Sequence, residues 1–295
     1  MHLAVARACD ARRRGAVLSS RSARALVAAS HPLPSAAVTA FAVAVSAAAG
    51  RAPGGVLLTG LAVLAGQLSI GWSNDLLDRK RDTAAGRSDK PLATGAADPR
   101  TVRRATWLAV VACVPLSLAS GLLAGAVHLV AVAGGWAYNL GLKRTWASPA
   151  PYAVSFALLT CFITLGLDGA PWPQPWAVAA GALLGVGAHF LNVVPDVDED
   201  LAEGVRGLPQ RIGARASAVT GAVLMAAAAT LAVAGPEGPV PGWAWAGLAT
   251  ALATAAGAAV AGSRPRTRAS APFLLAVATA GVTILLVIGR GADLT

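Results

Sequence analysis

The chain has 295 residues, of which 56% are hydrophobic and only 13% charged, with a mean hydropathy of +0.61. That apolar fraction exceeds what an ordinary soluble domain carries and points to an integral membrane protein. A net charge of +10 would also suit a nucleic-acid binder, but the placement of the charge ties it to one membrane face, so no nucleic-acid partner is expected.

In chain order, residues 1–30 are arginine-rich without the pattern of a cleavable signal and read as a basic cytoplasmic tail. Nine apolar runs follow, at about 31–49, 55–73, 105–122, 124–141, 152–168, 175–195, 216–234, 242–262 and 269–289. Each is long enough to cross a hydrocarbon core of about 30 Å. Their abundant Ala and Gly suit close packing of helices in lipid. Residues 31–290 are therefore expected to form one all-α transmembrane bundle of about nine helices, with a short tail at 291–295. Cys9, Cys113 and Cys161 form no metal or disulfide pattern. Trp172, Trp176, Trp243 and Trp245 read as interfacial belt residues, and Asp168 as a loop residue on the outer side.

Charge orients the chain. Over nine crossings, every Lys and Arg except Arg51 and Arg290 falls on the N-terminal side. By the positive-inside rule that side is the cytoplasm. The acids cluster as well: Asp75, Asp78, Asp82, Asp89 and Asp98 follow the second run, and Asp196, Asp198, Glu199, Asp200 and Glu203 follow the sixth. The same offset carries Asp78, Asp82 and Gly86 onto Asp196, Asp200 and Gly204, so both segments read D-x-x-x-D-x-x-x-G. An even number of crossings separates them, placing both on the cytoplasmic face. Shared spacing and direction point to an ancient duplication around one site.

At about 100° per residue, Asn74, Asp75, Asp78 and Asp82 share a narrow helical arc, Asp196 and Asp200 lie about 40° apart, and Asp198 points away. Two facing arrays of carboxylates repel unless a cation lies between them. Hard oxygen ligands suit Mg²⁺, which binds through a few carboxylates together with substrate phosphates, and the Lys and Arg of the same segments complement phosphate oxygens. The bland reading, a pair of solvated charged loops, fits one such segment better than two in register. Gln67 and His189 each lie seven residues before a motif residue (Asn74 and Asp196) on the same helical face. They could contact substrate or satisfy an interhelical hydrogen bond equally well.

At this point the motifs carry a resemblance. Asn74-Asp75-x-x-Asp78-x-x-x-Asp82 resembles the first aspartate-rich motif of the UbiA superfamily of intramembrane prenyltransferases, and Asn192-x-x-x-Asp196-x-x-x-Asp200-x-x-x-Gly204 its second. The segment Tyr138–Arg144, YNLGLKR, is similar to that family's basic segment. Val193 and Pro195 depart from the polar residues common in quinone-pathway members. The resemblance implies a helical bundle that binds an isoprenyl diphosphate through Mg²⁺ at its cytoplasmic end and alkylates an aromatic or other nucleophilic, hydrophobic acceptor. It implies Asn74, Asp78 and Asp82 as ligands of one Mg²⁺, with Asp75 orienting them, and Asp196 and Asp200 as ligands of another. Lys143 and Arg144 would hold the diphosphate, with Arg87, Lys90 and Arg206 assisting and Asn139, Gln67 and His189 facing the substrate. Two other classes compete. A terpene cyclase on the same scaffold would ionise the diphosphate without an acceptor. A transporter or channel is disfavoured, because no charge lies mid-span, where coupling sites sit.

Overall fold

The computed structural model describes residues 22–262, 270–290 and 293–295, and all regular structure among them is helical. The basic tail before Ser22, with Cys9, and the arginines of 263–269 lie outside the described residues. Helix α1 (Ser22–Ala28) is joined to α2 (Pro32–Ala48) through a 65° bend. Then come α3 (Pro53–Ala84), α4 (Pro99–Leu118), α5 (Leu122–Leu140) and α6 (Ala150–Leu165). They are followed by α7 (Pro175–Val193), the short α8 (Val197–Ala202) and α9 (Leu208–Ile212), then α10 (Ala214–Ala234), α11 (Gly242–Gly262) and α12 (Ser270–Gly289). Each of the nine apolar runs falls on one of the long helices.

Six of these helices are long and apolar enough to cross a membrane individually, or seven when α1 and α2 count as one bent span. Helix α6 and the stretch Val277–Gly289 of α12 are apolar but shorter. A membrane-embedded helical bundle is thus established, while the expected count of nine full crossings is not. Part of the expected tail, helix α1, packs on the bundle. Ala25 of α1 is buried with Leu92, Ala97 and Val102, and Trp72 donates from Nε1 to the Leu26 carbonyl at 2.9 Å.

Sequence neighbours pack as spatial neighbours, α2 on α3, α3 on α4, α5 on α6, α6 on α7, α10 on α11 and α11 on α12, while α10 also lies along α7. That last pairing depends on two small residues. A Cβ on Gly187 would sit 2.9 Å from the Gly221 carbonyl oxygen, and one on Gly221 would sit 3.0 Å from the Gly187 oxygen. Such backbone approach is how helices associate where lipid gives no hydrophobic driving force. Large apolar side chains, Phe41, Phe162, Ile163 and Trp176 among them, fill the interior between α2, α6 and α7. Inside the bundle, buried His128 Nδ1 pairs with Ser117 Oγ at 2.8 Å.

Candidate active site

Helix α3 runs unbroken for 32 residues, so residues 74–82 are its continuation beyond the apolar run. Asp75, Asp78 and Asp82 all turn inward and are buried, whereas Arg79 and Lys80 are exposed. Buried carboxylates need partners, and each of the three has cations. Lys143 Nζ lies 2.5 Å from Asp78 Oδ2 and 3.2 Å from Asn74 Oδ1. Lys90 donates to Asp75 Oδ1 at 2.8 Å, and His31 Nε2 lies 3.0 Å from the same oxygen. Arg81 Nη2 stands 3.2 Å from Asp78 Oδ2 and 3.3 Å from Asp82 Oδ1, while its Nε reaches Glu203 Oε2 at 2.9 Å. The last contact joins the two acidic segments, as does Arg87 Nη1 with Glu199 at 3.6 Å.

Lys143 owes its place to the end of α5. The helix stops at Leu140, and the 3₁₀ turn Leu142–Arg144 carries the lysine back over α3. Asn139 fixes that geometry, its Nδ2 donating to the Ile70 carbonyl and to Ser73 Oγ, both at 2.9 Å. In this arrangement the Asn139 amide nitrogen clamps α5 to α3. Burial pulls the Lys143 ammonium below its usual pKa, and the Asp78 carboxylate opposes that pull. Arg87 grips Asp89 with two hydrogen bonds of 2.9 Å. This pairing holds Arg87 above its ordinary range and Asp89 below its own.

The second segment is not one regular helix. Pro195 opens a 3₁₀ turn, Val194–Asp196, and α8 begins only at Val197. Asp196 and Asp200 are nevertheless half-buried and Asp198 is exposed, as the helical spacing led one to expect. Gln210 Nε2 donates to Asp200 Oδ2 at 2.8 Å. Asp196 has no hydrogen bond or ion pair of its side chain among the described residues. The repeat resolves into one shared device. Gly86 and Gly204 both adopt left-handed backbone, φ +68° and +78°, which glycine enters without steric cost. The next residue's N–H then caps the aspartate carbonyl five positions back, Arg87 to Asp82 at 3.0 Å and Val205 to Asp200 at 2.8 Å.

Arg144 and Arg206, expected to hold substrate, are exposed at this rim and make no ion pair among the described residues. His189 is buried deeper, with Nε2 3.2 Å from Ser148 Oγ and its ring stacked on Tyr152 and edge-on to Tyr138. Its Nδ1 is buried without a partner. Gln67 is half-buried and makes no side-chain hydrogen bond among the described residues. The oxygen-rich donors fit a hard divalent cation, although among the described residues no three His, Cys, Asp or Glu side chains already converge on one point. Sequence reasoning gave no role to Arg81, His31 or Gln210, and named Glu203 only as a member of the second acidic cluster. Only Arg81 left a signal, lying one turn after Asp78 and so on its face.

Comparison with known proteins follows from this geometry. Residues 35–286 match the UbiA prenyltransferase family. The chain belongs to that family. Among curated UbiA-type relatives, it is 30% identical over 185 residues to the bacteriochlorophyll synthase 33 kDa chain of Cereibacter sphaeroides; the match covers 58% of this chain and 60% of that relative's length. Two solved structures share the UbiA fold. A UbiA homologue from Archaeoglobus fulgidus bound to GPP and Mg²⁺ superposes with a TM-score of 0.68 at 15% identity, over 92% of this chain and all of that one. The same homologue bound to DMAPP and Mg²⁺ gives 0.69 at 16%, over 92% and 99%.

Proposed function

We propose that the protein is a divalent-metal-dependent intramembrane prenyltransferase that moves an isoprenyl group from a prenyl diphosphate to a hydrophobic or aromatic acceptor at the cytoplasmic end of the bundle. The observation that carries this reading is the meeting of two aspartate-rich segments through chain cations, at one end of an apolar bundle. The family membership and the GPP, DMAPP and Mg²⁺ named for its structural neighbours support it.

Each residue then has a task. Lys143, Lys90 and Arg87 are placed to receive diphosphate oxygens, since ammonium and guanidinium groups match phosphate in charge and geometry. Asp196 and Asp200 are the carboxylates with the fewest cations of their own and would hold a metal ion. Asp75, shared by Lys90 and His31, keeps Lys90 directed at the same mouth. When bound, Mg²⁺ supplies Lewis acidity at a phosphoryl oxygen and so stabilises the departing charge. The apolar walls below keep water from the allylic cation until the acceptor's electron pair attacks it. The acceptor loses its proton after that attack, and the diphosphate leaves with the bonding electrons.

The test is product analysis. Membranes containing the protein are incubated with labelled prenyl diphosphates of several lengths and Mg²⁺, with and without host lipid extract. Prenylated acceptor should form only with extract, stop with EDTA and return with excess Mg²⁺. Full turnover after chelation would refute the metal requirement. Diphosphate release with a cyclic hydrocarbon product and no extract would replace transfer by cyclisation.

A further inference from the structure

We infer that Arg81 is a resident cation standing where one of two divalent ions would bind, so that the enzyme takes its prenyl diphosphate with a single metal ion held by the second acidic segment. The inference rests on the prenyl diphosphate reading given above.

The two acidic segments are unequal in a way their sequences hide. In the first, every ligand expected for a metal is already in contact with a positive charge of the chain. Asn74 Oδ1 and Asp78 Oδ2 meet Lys143, and Asp78 Oδ2 and Asp82 Oδ1 meet Arg81 Nη2. In the second, the only hydrogen bond to the Asp200 side chain among the described residues is from the neutral amide of Gln210, and Asp196 has neither hydrogen bond nor ion pair there; Arg87 acts on both only through space. A divalent ion entering between Asp78 and Asp82 would face a guanidinium and an ammonium at contact range, where like charges repel strongly. One bound at Asp196 and Asp200 displaces no ammonium or guanidinium from contact with either carboxylate among the described residues, although Arg81, Lys143 and Arg87 lie near enough to act on them through space.

Arg81 is also built to stay. Its side chain is 21% exposed, and its Nε lies 2.9 Å from Glu203 Oε2, an ion pair that lacks hydrogen-bond geometry. A guanidinium never loses its proton under ordinary conditions, and its planar fork can serve several oxygens at once. It can therefore hold the two aspartates on one side and offer remaining donors to diphosphate oxygens on the other. Within the triplet Arg79-Lys80-Arg81, only Arg81 is turned inward, so the charge is placed rather than incidental. The alternative is that Arg81 neutralises the acids only until substrate arrives, then withdraws as two ions enter.

Counting bound metal separates these. The purified protein in lipid nanodiscs is saturated with geranyl thiodiphosphate, a slowly reacting analogue, and titrated with Mn²⁺, with free ion read by electron paramagnetic resonance. One Mn²⁺ per chain is expected for the wild type and for Arg81→Lys, and two for Arg81→Leu. The Mg²⁺ dependence of the initial rate should steepen in parallel, from first to second order. Two ions in the wild type, or one in a folded Arg81→Leu, overturns the inference. If Arg81→Leu does not fold, as judged by thermal unfolding, the wild-type count alone decides. Two-ion binding would leave the proposed function standing, whereas failure of the wild type to bind the analogue at all would remove both.

Discussion

Asp198 and Asp196 are separated by one residue and by a large difference in surroundings. Asp196→Ala or Asp200→Ala is expected to remove a metal ligand and lower the rate by about 10²–10³, the range for loss of one well-placed charge-stabilising contact. Asp198→Ala should change it several-fold at most, because Asp198 is exposed and faces away from the site. Consumption of prenyl diphosphate at saturating Mg²⁺ checks the three variants, and an inactive Asp198→Ala would show that the ligand assignment is wrong. Asn139→Leu tests the opposite kind of residue. It leaves Ser73 Oγ without its donor and the Ile70 carbonyl with the Ser73 hydroxyl as its remaining side-chain donor, and thermal unfolding should show a loss of about 1–3 kcal/mol. The burial of Asp75, Asp78 and Asp82 was legible at this scale because aspartate spacing on a helix encodes its face. The Asn139 contacts with Ile70 and Ser73 were not. The same helical register that points a side chain at substrate can point it at a neighbouring helix, and only the packing of α5 on α3 tells which. His31 left no trace, since its contact with Asp75 joins segments far apart in the chain, and Gln210 left none because it reaches Asp200 only through the turn between α8 and α9.

Among the elements, the turn between α1 and α2 determines how the rim is assembled. It lies directly against α3, where a Cβ on Gly71 would come 2.2 Å from the Ser30 carbonyl oxygen. Gly71→Ala should push this turn away and draw His31 off Asp75 and Lys90. Overpacking of this type costs about 1–3 kcal/mol. A raised KM for prenyl diphosphate with a smaller change in kcat would mark the displaced rim, and unaltered stability together with unaltered KM would contradict it. Hydropathy located the long helices well, because a hydrocarbon core demands long apolar runs. It could not reveal α1, whose burial depends on the distant Leu92, Ala97 and Val102. Nor could it show that Pro195 divides the second segment into a 3₁₀ turn and α8, because proline is tolerated both in a helix's first turn and at a break.

At the scale of the whole molecule, the basic residues set a direction that labelling can test. In a variant without native cysteines, Asp168→Cys should react with an impermeant maleimide added outside intact cells, while Asp89→Cys and Glu203→Cys should not. Outside labelling of either of the latter would reverse the orientation. The unbroken length of α3 has a mechanical consequence. One long helix is both a membrane anchor and the carrier of Asp75, Asp78 and Asp82, whereas Asp196 and Asp200 lie in and just past a 3₁₀ turn that continues α7 into α8. A rod tilts when the hydrocarbon around it thins and stands up when it thickens. Tilt about the membrane centre sweeps the projecting end of α3 sideways relative to the run from α7 to α8, which has its own length and tilt. The spacing of the two halves of the site is thereby coupled to bilayer thickness. Reconstituted in phosphatidylcholines of increasing acyl length, the enzyme should show a maximum of kcat at an intermediate thickness with unfolding temperature little changed, and a rate independent of acyl length would show that the two halves move as one.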